Sequence, residues 1–162
     1  MKRCFILDEN TVIAAYTGKN EHGEYDPSAA NLLLDIACNC HLIVLTNELE
    51  KKYFKRVDQL EETQVMFLNM ANVIHHIHMN PRKTKFFEYL PHIELPKTIH
   101  NDDPNIVRLA IHSQGILVTA DGRLRNSLVD ANLIQKHRLT VVSPEEAIKY
   151  AGPNDPEPLL RP

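Results

Sequence analysis

The chain has no apolar run that approaches the roughly 20 residues of a membrane span. It opens Met1-Lys2-Arg3-Cys4-Phe5-Ile6-Leu7-Asp8, where an acid cuts the apolar run well short of the about 7–15 residues of a secretory signal. The expectation is a soluble, cytoplasmic protein with no membrane association. Cysteine is sparse: Cys4, Cys38 and Cys40 make an odd count of three, which argues against a disulfide framework. Cys38-Asn39-Cys40 lacks both the C-x-x-C spacing and a second pair, so plain thiols are expected. Positive charge is not in excess either. A net charge of −3 gives no global field for nucleic acid, and any such contact must come from local patches. Candidates are Lys51-Lys52 with Lys55-Arg56, Arg82-Lys83 with Lys85, Arg123 with Arg125, and Lys136-His137-Arg138; each also reads as a solvated helix face. No internal repeat or low-complexity tract is present.

What is present suits one α/β domain. The 162 residues are enough to bury a real core. We assign the domain to residues 1–151 and a flexible, proline-rich tail to residues 152–162. Short, mainly apolar runs at 3–7, 41–45, 116–119 and 139–142 predict strands, and the continuous run at 41–45 suits a strand covered on both faces. Helical periodicity predicts helices from about 10 to 16 (cap Asn10 or Thr11), 28 to 39, from a Thr46 or Asn47 cap to about 57, 62 to 77 and 103 to 113. A short helix is expected near 83–89 and one or two helical turns over 124–135. Ser143-Pro144-Glu145-Glu146 opens a final helix with a serine cap, proline in the first turn and Glu146 as capping-box partner. Strands alternating with helices imply a three-layer α/β/α fold with a short, mostly parallel sheet of four or five strands.

Four acidic stretches stand at element ends: Asp8, the Glu48/Glu50 pair, Asp102-Asp103, and Asp121. Asp8 and Asp121 end predicted strands; the other two open predicted helices. Strand C-termini and helix N-termini meet along one edge of a parallel sheet, so all four can converge on one cleft. Converging carboxylates repel unless a cation sits between them, and oxygen donors of this kind suit Mg²⁺. Each acid taken singly also reads as a helix cap offsetting the macrodipole. His75-His76-Ile77-His78 puts His75 and His78 on one helix face at a spacing that can bind zinc, but no Cys or acid follows at structural-zinc spacing, and a packed or surface cluster is the plainer reading.

Ile6-Leu7-Asp8-Glu9-Asn10 resembles the opening strand of PIN domains. Asp103 to Ala110, followed by Gly115 to Asp121 with its Val-Thr-x-Asp ending, resembles their second signature, and 139–147 resembles the close of prokaryotic members. The resemblance covers about residues 3–150. It implies a PIN-like fold and a Mg²⁺- or Mn²⁺-dependent endoribonuclease with Asp8, Asp103 and Asp121 on the metal and Glu50 as the further catalytic acid. Asn10 and Thr119 would orient carboxylates or phosphate, and Arg123 and Arg125 would contact RNA. It further implies a toxin with a cognate antitoxin, and a homodimer, as partners. The family's glutamate frame falls on Lys52 here, leaving Glu50, Glu48 or neither to complete the site. Lys52 supports the alternative of an inactive PIN-like module that binds RNA or protein. A phosphatase using Asp8 as nucleophile wants Asp-x-Asp, which Asn10 breaks.

Overall fold

The computed structural model describes residues 2–67, 69–99 and 104–152. His100, Asp102, Asp103 and nearly all of the expected tail therefore lie outside the described residues. Five strands, β1 (Cys4–Leu7), β2 (Leu42–Leu45), β3 (Thr84–Phe86), β4 (Ile116–Val118) and β5 (Thr140–Val142), form one sheet in the order β3-β2-β1-β4-β5. Every pairing is parallel. The helices are α1 (Glu9–Thr17), α2 (Ser28–Cys38), α3 (Asn47–Asp58), α4 (Met70–Met79), α5 (Pro104–Ser113), α6 (Gly122–Asp130), α7 (Leu133–His137) and α8 (Pro144–Ala151). The result is the three-layer α/β/α architecture expected from the alternating pattern. No described helix is long and apolar enough to cross a membrane.

The central strand explains why the sheet is parallel and covered. Phe5, Ile6 and Leu7 of β1 are fully buried, as are Leu117 and Val118 of the neighbouring β4. Only helices on both faces can cover such strands, and right-handed crossovers supply them. On one face α2 packs against α1, α4 and α8, while α5 packs against β1, β2 and β4. Within α2, Leu32, Leu33 and Ile36 are buried at helical spacing, each contributing about 1.5–3 kcal/mol of burial. The α2 carboxyl end is held by the Lys83 Nζ, which donates to the Ile36 carbonyl at 3.0 Å and also to the Asn39 carbonyl. A cation there satisfies carbonyls the helix leaves unpaired.

Three local expectations are corrected. Helix α1 is capped by Asp8, whose carbonyl accepts from Thr11 N at 3.0 Å, rather than by Asn10 or Thr11. The stretch 62–77 is not one helix: a single 3-10 turn at Glu62–Gln64 precedes α4. Between them the backbone N–H groups of Met66 and Phe67 donate to the Tyr16 carbonyl, drawing the chain across the end of α1. Gly18 closes that helix in the left-handed region at φ 62, where a Cβ would meet Phe67 at 2.8 Å. The third correction is that residues 84–86, expected as a short helix, form the edge strand β3, paired from Ile43 to Leu45 of β2. The α8 forecast holds in detail: Ser143 Oγ accepts from Glu146 N, and the Glu146 carboxylate accepts from Ser143 N.

Candidate active site at the carboxyl ends of the central strands

The chain runs outward from β1 through β2 to β3, then returns to β4 on the other side of β1. The order therefore reverses between β1 and β4, and the crevice beyond their carboxyl ends is where open parallel sheets bind ligands. Asp8 and Thr119 stand there. Asp8 follows the last residue of β1 and is 2% exposed. Its side chain does not cap α1. Instead Thr119 Oγ1 donates to Asp8 Oδ2 at 2.8 Å. The Asp8 N–H donates to the Val118 carbonyl at 2.9 Å, so main chain and side chain both tie it to the strand beside it. A carboxylate removed from water needs such donors to remain tolerable.

Asp121 is joined to the same hydroxyl. Its N–H donates to Thr119 Oγ1 at 3.0 Å, while its carboxylate Oδ1 accepts from Arg123 N at 2.8 Å as the cap of α6. Arg123 Nε lies 3.5 Å from that oxygen, with the guanidinium side chain 94% exposed. One threonine therefore joins the Asp8 carboxylate to the Asp121 main chain just beyond the ends of adjacent strands. These expected residues are brought together, and Asn10 lines the solvent-exposed groove that Asp121 and Arg123 also line. Arg125 points elsewhere: it pairs with Glu146 Oε2 at 3.2 Å. That carboxyl has its pKa lowered, chiefly by the Ser143 N–H and further by the Arg125 charge.

Helix α3 brings the remaining acids. Thr46 Oγ1 accepts from Leu49 N at 3.1 Å and starts the helix. The buried Tyr53 hydroxyl donates to the Leu7 carbonyl, pinning α3 to the end of β1 next to Asp8. Burial first, and then the charges of Asp8 and Glu9, raise the Tyr53 pKa well above its ordinary 10.0. Glu50, one turn earlier, does not join the aspartates: its Oε1 lies 2.8 Å from His78 Nδ1. That oxygen is buried, and the His78 ring nitrogen is the polar group beside it. The His78 ring packs edge-on against Phe54 and Phe86, while His75 and His76 are exposed.

Glu48 faces the other way, toward α5. Asn105 Nδ2 donates to its Oε2 at 2.7 Å, and Asn105 Oδ1 accepts from Arg108 at 3.1 Å. A crevice between α3 and α5 is lined by Glu9, Thr46, Glu48, Lys52 and Asn105. Asp103 directly precedes α5 in sequence and lies outside the described residues.

The donor atoms of Asp8, Thr119 and Asp121 are all oxygen, which suits a hard divalent cation. Among the described residues no three His, Cys, Asp or Glu side chains cluster closely enough to hold a metal; Asp8 and Asp121 are the described part of the expected triad. Sequence reasoning passed over Tyr53 as an anchor, because it reads as one more apolar position of α3. Glu21, in the loop after α1, also joins the site region: its carboxylate accepts from Gly122 N at 3.3 Å across 101 positions. No local signal carries so long a contact. No protein-family model, no curated protein and no solved structure matches the chain, so the reading of this site rests on its own residues.

Proposed function

We propose that the chain is a PIN-like, metal-dependent endoribonuclease. The observation that carries this reading is the Asp8–Thr119–Asp121 hydrogen-bonded chain at the reversal point of the sheet. Asp8 and Asp121, with Asp103, which precedes α5 in sequence, would hold Mg²⁺ or Mn²⁺. The ion, when bound, supplies an acidified water and neutralises charge on a phosphodiester. Thr119 keeps the Asp8 carboxylate oriented by a hydrogen bond to one oxygen. Tyr53, buried and bonded to the Leu7 carbonyl, holds α3 against the end of β1 beside Asp8. Arg123, exposed beside Asp121, offers a cation to an RNA phosphate. Of the two α3 acids, Glu48 is the better candidate to join the site, because it faces α5 while Glu50 is engaged by His78. A cytoplasmic toxin acting with an antitoxin, and a homodimeric state, remain parts of the same proposal.

A second reading, an inactive module that binds RNA or protein, is favoured by one observation. Lys52 lines the α3–α5 crevice with Glu48 and Glu9, where its ammonium competes for the carboxylates. Labelled single-stranded RNA incubated with the protein and Mg²⁺ or Mn²⁺, then with EDTA, separates the two. Cleavage that requires the ion and is lost in Asp8→Asn supports the nuclease. Binding with no cleavage under either ion supports the module.

A further inference from the structure

Beside the site lies a groove of about 580 Å³ between α1, the 18–25 turn and the start of α6, within the roughly 300–1,000 Å³ of ordinary ligand clefts. Asp121 forms one wall. Ile13 gives the groove an apolar surface, Asn10 and Gln64 add neutral polar groups, and Lys19 and Arg123 add two cations. An apolar floor beside separated cations suits a nucleotide, with a base against the floor and phosphates on the cations.

The turn that forms the far wall is built, not loose. Asn20 Oδ1 accepts from the N–H groups of His22 and Glu24, both at 3.0 Å, and Lys19 bridges to Tyr25. This holds Glu21 toward α6, where its Oε2 accepts from Gly122 N at 3.3 Å. Glu21 is 47% exposed, so water readily replaces this contact. Its carboxylate places a negative charge in the groove beside Asp121, where an incoming phosphate would be repelled.

We infer that this groove binds one nucleotide of a single-stranded RNA beside the scissile phosphate, with Lys19 and Arg123 on its phosphates and Glu21 as the anion that the strand displaces. The inference rests on the nuclease reading for the identity of the strand. It assigns Lys19 as a binding residue and Glu21 as a residue that weakens binding.

The test is the affinity of a fluorescent oligouridylate, measured by anisotropy in EDTA over a range of salt. Three variants serve: Lys19→Ala, Lys19→Arg and Glu21→Gln. Lys19 is exposed and its part in the turn is made by the backbone, so the substitutions leave the fold intact, which a thermal melt verifies. Lys19→Ala should weaken binding several-fold and reduce the salt slope by about 0.7, the value for one phosphate contact on a single strand. Lys19→Arg should restore both, and Glu21→Gln should tighten binding several-fold. Equal affinities and slopes across the native protein and all three variants overturn the groove. Repeating the measurement with Mg²⁺ separates the two readings. RNA cut at an unchanged KM by Lys19→Ala removes the groove and keeps the nuclease. Groove-dependent binding with no cutting removes the nuclease and keeps the groove. Absence of both binding and cutting removes both.

Discussion

Thr119 donates its hydroxyl to Asp8 across 2.8 Å, joining residues 111 positions apart in the sequence. The same oxygen accepts from the Asp121 N–H, so Thr119→Val removes two hydrogen bonds at once while keeping the side-chain shape. Asp8 loses a donor at a buried site, and the Asp121 N–H loses an acceptor at a partly buried one. The expected loss is about 1–3 kcal/mol of folding stability, read from urea unfolding. Thr119→Ser keeps the hydroxyl and should lose less. Equal losses in the two variants would mean that the methyl group, not the hydrogen bond, matters here.

The two acids of α3 make opposite predictions. Glu48→Gln should lower RNA cleavage by about tenfold or more, whereas Glu50→Gln should stay within about threefold of the native rate. Glu50→Gln should instead lower the melting temperature, because its carboxylate serves the His78 contact. Single-turnover cleavage of the same RNA by both variants decides the matter; a larger loss in Glu50→Gln would return that residue to the site.

Tyr53 links the site to alkaline stability. Its pKa is raised in the fold, so its contribution is complete below the ordinary value of 10.0 and is lost as pH rises above it, when the unfolded chain releases the phenolic proton. Tyr53→Phe deletes the hydrogen bond to Leu7 and should cost about 1 kcal/mol near neutral pH. It should also flatten the fall in stability above about pH 10. Urea midpoints taken across that range measure both effects, and an unchanged alkaline slope would place the titration on another tyrosine.

Gly115 makes a packing prediction. A Cβ there would sit 2.4 Å from Ile6 Cδ1 and 3.1 Å from the Cys4 carbonyl oxygen. Ile6 is fully buried in the central strand and has no room to retreat. Gly115→Ala should therefore destabilise the fold by about 1–3 kcal/mol through overpacking. Thermal unfolding checks it, and a neutral result would show that β1 and β4 can separate slightly at that level.

Strand and cap chemistry made much of this legible in one dimension. The runs ending at Asp8 and near Asp121 are apolar without interruption, which only a strand covered on both faces requires, and parallel-sheet geometry then sends their ends to one edge. Ser143 and Glu146 announced α8 because both halves of a capping box lie within four residues. Residues 84–86 were illegible for the opposite reason. An edge strand takes its hydrogen bonds from a neighbour about 40 positions away, here β2, and its own residues carry no period that says so.

By itself the sequence determined the α/β class, the interior strands and the position of Asp8 at the end of β1, because each follows from burial and local hydrogen bonding; Asp121 instead caps α6, three residues beyond β4. Only the tertiary structure decided that Thr119 joins those two aspartates, that Glu50 turns to His78 while Glu48 turns to Asn105, and that Glu21 reaches the start of α6. Those contacts depend on how whole elements are placed against one another. Two residues along a helix turn it by about 200°, enough to send Glu48 and Glu50 into different crevices.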